Sequence, residues 1–158
     1  MFKRMLTTRS LAVSAVIAAL YAALTLLLAP ISYGNLQCRV SEAMTLLPLL
    51  TPTAIPGLFV GCVIANLYTG SVLDIVFGSL ATLLAAVGTY CLRKKPMLAG
   101  ACPVVFNGLI VGAVLSYSYS LPLLLTMAEV AIGEVAAVLL GFALLAALKK
   151  TKIDFDKL

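Results

Sequence analysis

The chain alternates long apolar runs with short polar segments, and the lengths of the runs are the first structural signal. Leu11 to Leu28 holds eighteen residues without a charge, about 27 Å at helical rise and enough to cross the hydrocarbon core of a bilayer. The later runs end at Pro, Gly, Asn or basic residues, which are typical of turns. The pattern predicts six membrane-spanning segments, at 11–28, 39–50, 57–67, 72–92, 98–115 and 123–147.

The basic residues predict the orientation of these segments. All of them except Arg39 fall into three clusters, at 1–9, 93–95 and 149–157. Short cytosolic segments retain Lys and Arg, so we expect an even number of crossings between successive clusters. Six crossings satisfy this condition, and a re-entrant hairpin in place of the short second and third segments would satisfy it too. The predicted fold class is an all-α integral membrane protein, a six-helix bundle with both termini cytosolic.

Composition agrees with one membrane domain over residues 1–158. Hydrophobic residues make up 63% of the chain and charged residues 11%, and the net charge is +5. Soluble domains are about 45–50% apolar, and so few charges could not cover a soluble surface of this size. The positive charge sits at the ends of apolar runs and not along one polar face, so no nucleic-acid partner is expected. We expect a multi-pass protein of a prokaryotic cell membrane, with the lipid bilayer as its surroundings.

Several kinds of chemistry are missing. The chain has no GxxxxGK[ST] or GxGxxG segment, so it does not handle ATP itself. It has no histidine, which excludes histidine-based metal sites and a Ser-His-Asp triad. The four cysteines are 24, 29 and 11 residues apart, spacings that fit no zinc or redox motif. The sequence therefore predicts no metal, no cofactor and no enzymatic activity.

Ionisable residues inside apolar runs cost about 2.5–3.5 kcal/mol each on insertion scales, so they are candidates for function. The predicted topology brings polar residues of five segments towards the outer half of the bundle, with Glu134 and Asn107 deepest. The others are Arg39, Glu42, Asn66, Asp74 and Glu129. We expect a pocket open to the outside. Arg39 and Glu42 are three residues apart, so pairing with each other is the structural alternative.

The acidic excess in these segments limits the kind of ligand. Four carboxylates against one arginine favour a ligand with a positive group or several N–H donors, such as an amine or a guanine-like ring, unless a carboxylate stays protonated. Glu129 and Glu134 are about 140° apart on a helix, so an unbroken helix cannot aim both at one point. Tyr68 and Phe77 offer stacking faces, although an aromatic belt at the membrane interface gives the same pattern.

Small residues recur every fourth position in the first segment. The stripe consists of Ala15, Ala19 and Ala23, with Ala18 and Ala22 alongside. Such stripes allow close approach of helices. Packing within the bundle and docking of a separate membrane protein both explain it.

Several blocks are distinctive among membrane sequences. They are RVSEAMTLLPLLTPTAIPGLFVGCVIANL (39–67), LDIVFGSLATLLAAVGTY (73–90), LRKKP (92–96), PVVFNGLIVGAVLSY (103–117) and GEVAAVLLG (133–141). Across nearly the whole chain they resemble the QueT family, the queuosine-precursor S components of energy-coupling factor (ECF) transporters. The resemblance implies a subunit that binds a 7-deazaguanine, such as preQ1, preQ0 or queuine, from outside. Delivery inward would require an ECF transmembrane coupling protein and two cytosolic ATPases.

The resemblance also suggests roles for the candidate residues. We expect Glu134 or Glu129 at the guanine-like edge, with Asn107 and Asn66 as orienting amides. The outer rim would be formed by Arg39, Glu42 and Asp74, and the alanine stripe of the first segment would dock the coupling protein. Two other classes compete with this interpretation. One is a stand-alone proton-coupled carrier of a cationic or nucleobase-like solute, and the other is a structural membrane protein, which leaves the polar residues without a purpose.

Overall fold

A computed structural model describes residues 7–32 and 39–151, and every regular element within these residues is helical. The predicted basic positions Lys3, Arg4, Lys152 and Lys157 lie outside the described residues. The elements are α1 (Thr8–Leu27), α2 (Ala29–Ser32), a 3₁₀ helix (Val40–Leu49), α3 (Ala54–Leu67), a π-helical turn (Asp74–Gly78) that continues into α4 (Ser79–Cys91), α5 (Pro96–Tyr119) and α6 (Leu123–Lys149).

Within the described residues, four helices are long and apolar enough to cross a membrane. They are α1, the continuous stretch Asp74–Cys91, α5 and α6. Their outward sides carry aliphatic side chains; Leu124, for example, is 81% exposed and Leu139 is 65% exposed. Such sides suit contact with lipid, which supports the predicted all-helical membrane protein.

The predicted second segment is a 3₁₀ helix with Pro48 inside it. Proline has no backbone N–H to donate, which disfavours regular α-helix at that point. At about 2.0 Å per residue this helix spans about 20 Å, and α3 spans about 21 Å at α-helical rise. Both are shorter than the hydrocarbon core, which is about 30 Å thick.

The 3₁₀ helix lies at the centre of the bundle. Every residue from Ser41 to Pro48 is buried, and the segment packs against α1, α3, α4, α5 and α6. A 3₁₀ helix has three residues per turn, so side chains three apart share a face. Because the 3₁₀ helix is central, Glu42 lies in the middle of the bundle.

Two glycines of α3 bring its backbone against α1. A Cβ atom at Gly57 would lie 2.6 Å from the carbonyl oxygen of Ser14, and one at Gly61 would lie 2.8 Å from that of Ala18. Glycines four apart are typical of helices that cross at close range in membranes. In the other half of the bundle, Gly112 packs in the same way against Met127 of α6.

We expect Gly61→Ala to lower the stability of the folded protein by about 1–3 kcal/mol, because the added methyl group meets backbone atoms that cannot move aside. Thermal unfolding of the purified protein in detergent would measure the loss. Gly108→Ala is the matched control, since its methyl group would meet mainly the side chain of Ala131, at 3.1 Å. An equal loss in both variants would contradict close packing of α1 on α3.

Apart from Arg39, the described basic residues gather at one end of the bundle. Ser14, near the start of α1, donates a hydrogen bond to the carbonyl oxygen of Thr53, just after the 3₁₀ helix. The start of α5 lies at the same end as the last turns of α6, because Gly100 faces Phe142. An apolar groove of about 360 Å³ is lined by both Val13 of α1 and Leu148 of α6. The start of α1 therefore lies at the same end as the last turn of α6. Arg9, Arg93, Lys94, Lys95, Lys149 and Lys150 are therefore on one side.

Candidate functional site

A small polar cavity lies between the 3₁₀ helix, α5 and α6. Its lining consists of Arg39, Glu42, Asn107, Val111, Val130 and Glu134. The volume is about 10 Å³, which is the room needed by one water molecule. Six residues from distant parts of the sequence therefore meet at one point inside the bundle.

Helix periodicity aims α5 and α6 at this cavity. Val130 and Glu134 are four residues apart on the buried side of α6, and Asn107 and Val111 are four apart on that of α5. Glu134 is 3% exposed and Asn107 is 2% exposed. The Asn107 Nδ2 group donates a hydrogen bond of 2.9 Å to Glu134 Oε1, which fixes the two side chains relative to each other.

Glu42 is held by two hydroxyl groups from helices on other sides of the bundle. The Tyr21 hydroxyl of α1 donates to Glu42 Oε1. Thr82 Oγ1 of α4 donates to the same oxygen at 3.0 Å. Hydrogen bonds to a carboxylate are stronger than those between neutral groups, so this pair of donors fixes the orientation of Glu42.

Three buried acceptor atoms at the cavity have no hydrogen-bond partner among the described residues. They are Glu42 Oε2, Glu134 Oε2 and Asn107 Oδ1. A buried polar atom left without a partner costs about 1–3 kcal/mol, more when it is charged, so such atoms call for an explanation. A molecule that brings N–H or O–H donors into the cavity would satisfy all three.

Arg39 completes the charged lining. It precedes the 3₁₀ helix and is 6% exposed. Glu42 and Glu134 interact electrostatically with Arg39 and with each other. The site therefore combines one guanidinium group, two carboxyl groups and one amide, with two hydroxyl groups beside Glu42.

The structure brings together four of the nine residues predicted for the site: Arg39, Glu42, Asn107 and Glu134. Asn66 lies elsewhere, although it is fully buried. Its Nδ2 group donates a hydrogen bond of 2.9 Å to the carbonyl oxygen of Asp74 and one of 3.4 Å to the Ser79 hydroxyl. Asn66 thus holds the π-helical turn against α3, and a chain of contacts through Cys62 and Thr82 connects it to Glu42.

The other four predicted residues also lie outside the cavity lining. Asp74 is buried in the π-helical turn, whereas Phe77 is 45% exposed and Tyr68 is 67% exposed. Glu129 is half-buried. Because α6 continues without interruption through Gly133, Glu129 and Glu134 point in directions about 140° apart.

Four residues at or beside the cavity were absent from the sequence predictions: Tyr21, Thr82, Val111 and Val130. Tyr21 carried a usable signal, because it stands in the middle of the first apolar run with its hydroxyl group needing a partner in lipid. Thr82 carried no such signal, since a threonine hydroxyl is readily satisfied by its own helix. Aliphatic lining residues are indistinguishable from core residues in the sequence.

The five alanines of α1 that were predicted to dock a partner divide into two faces. Ala18 and Ala22 are 5% and 6% exposed and are buried within the bundle, where Ala18 approaches Gly61 of α3. Ala15, Ala19 and Ala23 lie on the exposed side of the helix. A partner has access only to the second group, so Ala18 and Ala22 belong to internal packing.

Comparisons with known proteins identify the family of the chain. The family model described as QueT transporter matches residues 11–150. The chain is 27% identical to a Lactococcus lactis subsp. cremoris (strain MG1363) protein named Queuosine precursor transporter QueT, over 90% of this chain and 93% of that protein. No solved structure matches the fold. Since the family model covers most of its length, this chain belongs to the QueT transporter family and is a membrane transporter, not an enzyme.

Proposed function

We propose that the protein is the substrate-binding S component of an ECF transporter, which binds a 7-deazaguanine from outside and delivers it inward. The observation that carries the proposal is the buried cavity in which Glu42, Asn107 and Glu134 each present an acceptor atom without a partner among the described residues. Family membership narrows the ligand to queuosine precursors, as the name of the Lactococcus relative indicates for that protein.

The arrangement of the acceptors suits the edge of a guanine-like ring. Such a ring offers an N–H and an exocyclic NH₂ group side by side. Glu134 Oε2 and Asn107 Oδ1 belong to two hydrogen-bonded side chains and are free to accept from those donors. A fused bicyclic base needs far more room than one water molecule, so the helices around the cavity move apart when it binds.

The proposal includes six crossings with both termini in the cytosol. Its support is the gathering of Arg9, residues 93–95, Lys149 and Lys150 at one end of the bundle, because cytosolic segments are rich in Lys and Arg. The 3₁₀ helix and α3 would then form the second and third crossings. Glu134 lies about 16 Å along α6 from Leu123 and about 22 Å from Lys149, so the cavity would be slightly nearer the outer surface.

Docking on the coupling protein is assigned to the exposed alanines Ala15, Ala19 and Ala23. Their small side chains allow the backbone of a partner helix to come close. Tyr21 lies on the buried side of the same helix and donates its hydrogen bond to Glu42. A movement of α1 during docking would therefore act directly on the candidate site.

A second candidate function is a stand-alone proton-coupled carrier. The observation that favours it is the pair of buried carboxyl groups, Glu42 and Glu134, since carboxyl groups inside membranes serve as proton relays in many carriers. The two functions differ in their source of energy and in their need for other chains.

Uptake into liposomes separates the two candidates. Vesicles would contain this chain alone or together with an ECF coupling protein and its two ATPases, and would be offered radiolabelled preQ1. We expect uptake only when the complete module is present and ATP is supplied on the side of the membrane where the ATPases lie. Uptake by the chain alone, driven by a proton gradient, would contradict the S-component proposal and support the carrier.

A further inference from the structure

We infer that the site selects a 7-deazaguanine that carries a protonated amine over one with a neutral substituent, and that Glu42 is the residue that makes this distinction. The inference rests on the proposed function and deepens it. It follows from the charges of the residues that line the cavity and from the hydrogen bonds that these residues make.

The charges of the lining do not balance. Arg39 supplies one positive charge, whereas Glu42 and Glu134 together supply two negative charges when both are ionised. All three side chains are more than nine-tenths buried. An uncompensated buried charge is costly, so the site favours a ligand that brings the missing positive charge. A neutral ligand leaves the imbalance in place or requires one carboxyl group to take up a proton.

The hydrogen bonds divide the acceptors into two groups. Glu134 and Asn107 are hydrogen-bonded to each other, and each has one open oxygen that is available to accept from the N–H donors of a guanine-like edge. Glu42 Oε1 accepts hydrogen bonds from Tyr21 and Thr82, and its Oε2 atom has no partner among the described residues. A single open carboxylate oxygen suits an ammonium group.

Comparing two bases tests the contact between Glu42 and the amine of the ligand. The compounds preQ1 and preQ0 share the 7-deazaguanine ring and differ at one substituent, which is an aminomethyl group in preQ1 and a nitrile in preQ0. Calorimetric titration of the purified full-length protein with each base gives the preference directly. We expect preQ1 to bind at least about thirtyfold more tightly than preQ0, as for a fully buried charge pair.

The variant Glu42→Gln keeps the shape of the side chain and removes its charge. We expect it to lose most of the preference for preQ1 over preQ0, because the contact with the amine is removed while the contacts of Glu134 and Asn107 with the ring remain. Thermal unfolding of the variant reports whether it is folded. Glu129→Gln is the matched control, since it removes a carboxylate that does not line the cavity, and it should keep the full preference.

The possible results separate this inference from the proposed function. Equal affinity of the unaltered protein for preQ1 and preQ0 overturns the inference and leaves the proposed function standing. A preference that persists in Glu42→Gln overturns the assignment to Glu42, and this comparison does not depend on the absolute affinity. If neither base binds to the unaltered protein, the proposed function itself fails.

Discussion

Replacing Glu134 with glutamine is expected to weaken the binding of both preQ1 and preQ0 by about a hundredfold. Losses of this size are typical when one partner of a buried, charged hydrogen bond is removed. Glutamine retains the volume of the side chain. Its amide group, however, presents N–H donors towards a ring edge that also donates, and the bond from Asn107 Nδ2 to Glu134 Oε1 loses a charged acceptor. Titration calorimetry in detergent measures the change for each base.

The contrast with two other glutamates makes this prediction specific. Glu42→Gln should weaken preQ1 binding much more than preQ0 binding, and Glu129→Gln should affect neither base, because Glu129 lies outside the cavity lining. Thermal unfolding of each variant shows whether the fold is retained. Unaltered affinity in Glu134→Gln would end the assignment of Glu134 to the ring edge.

Replacing Ala19 with tryptophan is expected to reduce ATP-driven uptake by about tenfold or more and to leave ligand binding unchanged. Ala19 lies on the exposed side of α1, where a large side chain fits within the lipid but prevents close approach of another helix. Uptake by reconstituted vesicles and titration of the isolated protein are measured on the same preparation.

Leu20→Trp is the matched control for this docking face. Leu20 is 52% exposed at the same depth of α1, and its side chain points about 100° around the helix from that of Ala19, away from the stripe. It should support uptake close to that of the unaltered protein. If both variants transport normally, the exposed alanines have no role in docking; if Ala19→Trp also loses ligand binding, its defect lies in the fold of α1.

The helices were predictable because lipid imposes a simple rule on the sequence. A segment that crosses the bilayer must be apolar and must satisfy its own backbone hydrogen bonds, so length and charge position locate it. The predicted segment 98–115 lies inside α5, and 123–147 lies inside α6. The 3₁₀ helix and the π-helical turn were not predictable, since the same apolar run is compatible with several helical geometries.

The chemistry of the candidate site was partly predictable for a related reason. Charged groups are costly in lipid, so Arg39, Glu42 and Glu134 had to gather with partners inside the bundle. The same argument gives only the depth of a residue and not the direction of its side chain around the helix. Asn66 and Glu129 have suitable depths, yet Asn66 packs against the π-helical turn and Glu129 points away from Glu134. Contacts between helices decide such directions.

Tyr21 shows a further limit of the sequence. Its hydroxyl group contacts a residue that follows it by 21 positions, on another element. Nothing in the apolar run around Tyr21 specifies which element lies opposite. The hydrogen bond to Glu42 depends on how α1 packs on the 3₁₀ helix, and that packing depends in turn on Gly57 and Gly61 of α3.

The most direct test of the account is an experimental structure of the full-length protein with preQ1 bound in a lipid nanodisc. We expect the ring edge within hydrogen-bond distance of Glu134 and Asn107, and the amine beside Glu42, in an enlarged form of the cavity between the 3₁₀ helix, α5 and α6. A base bound elsewhere, for example in the apolar groove lined by Val13 and Leu148, with Glu42 and Glu134 untouched, would contradict it.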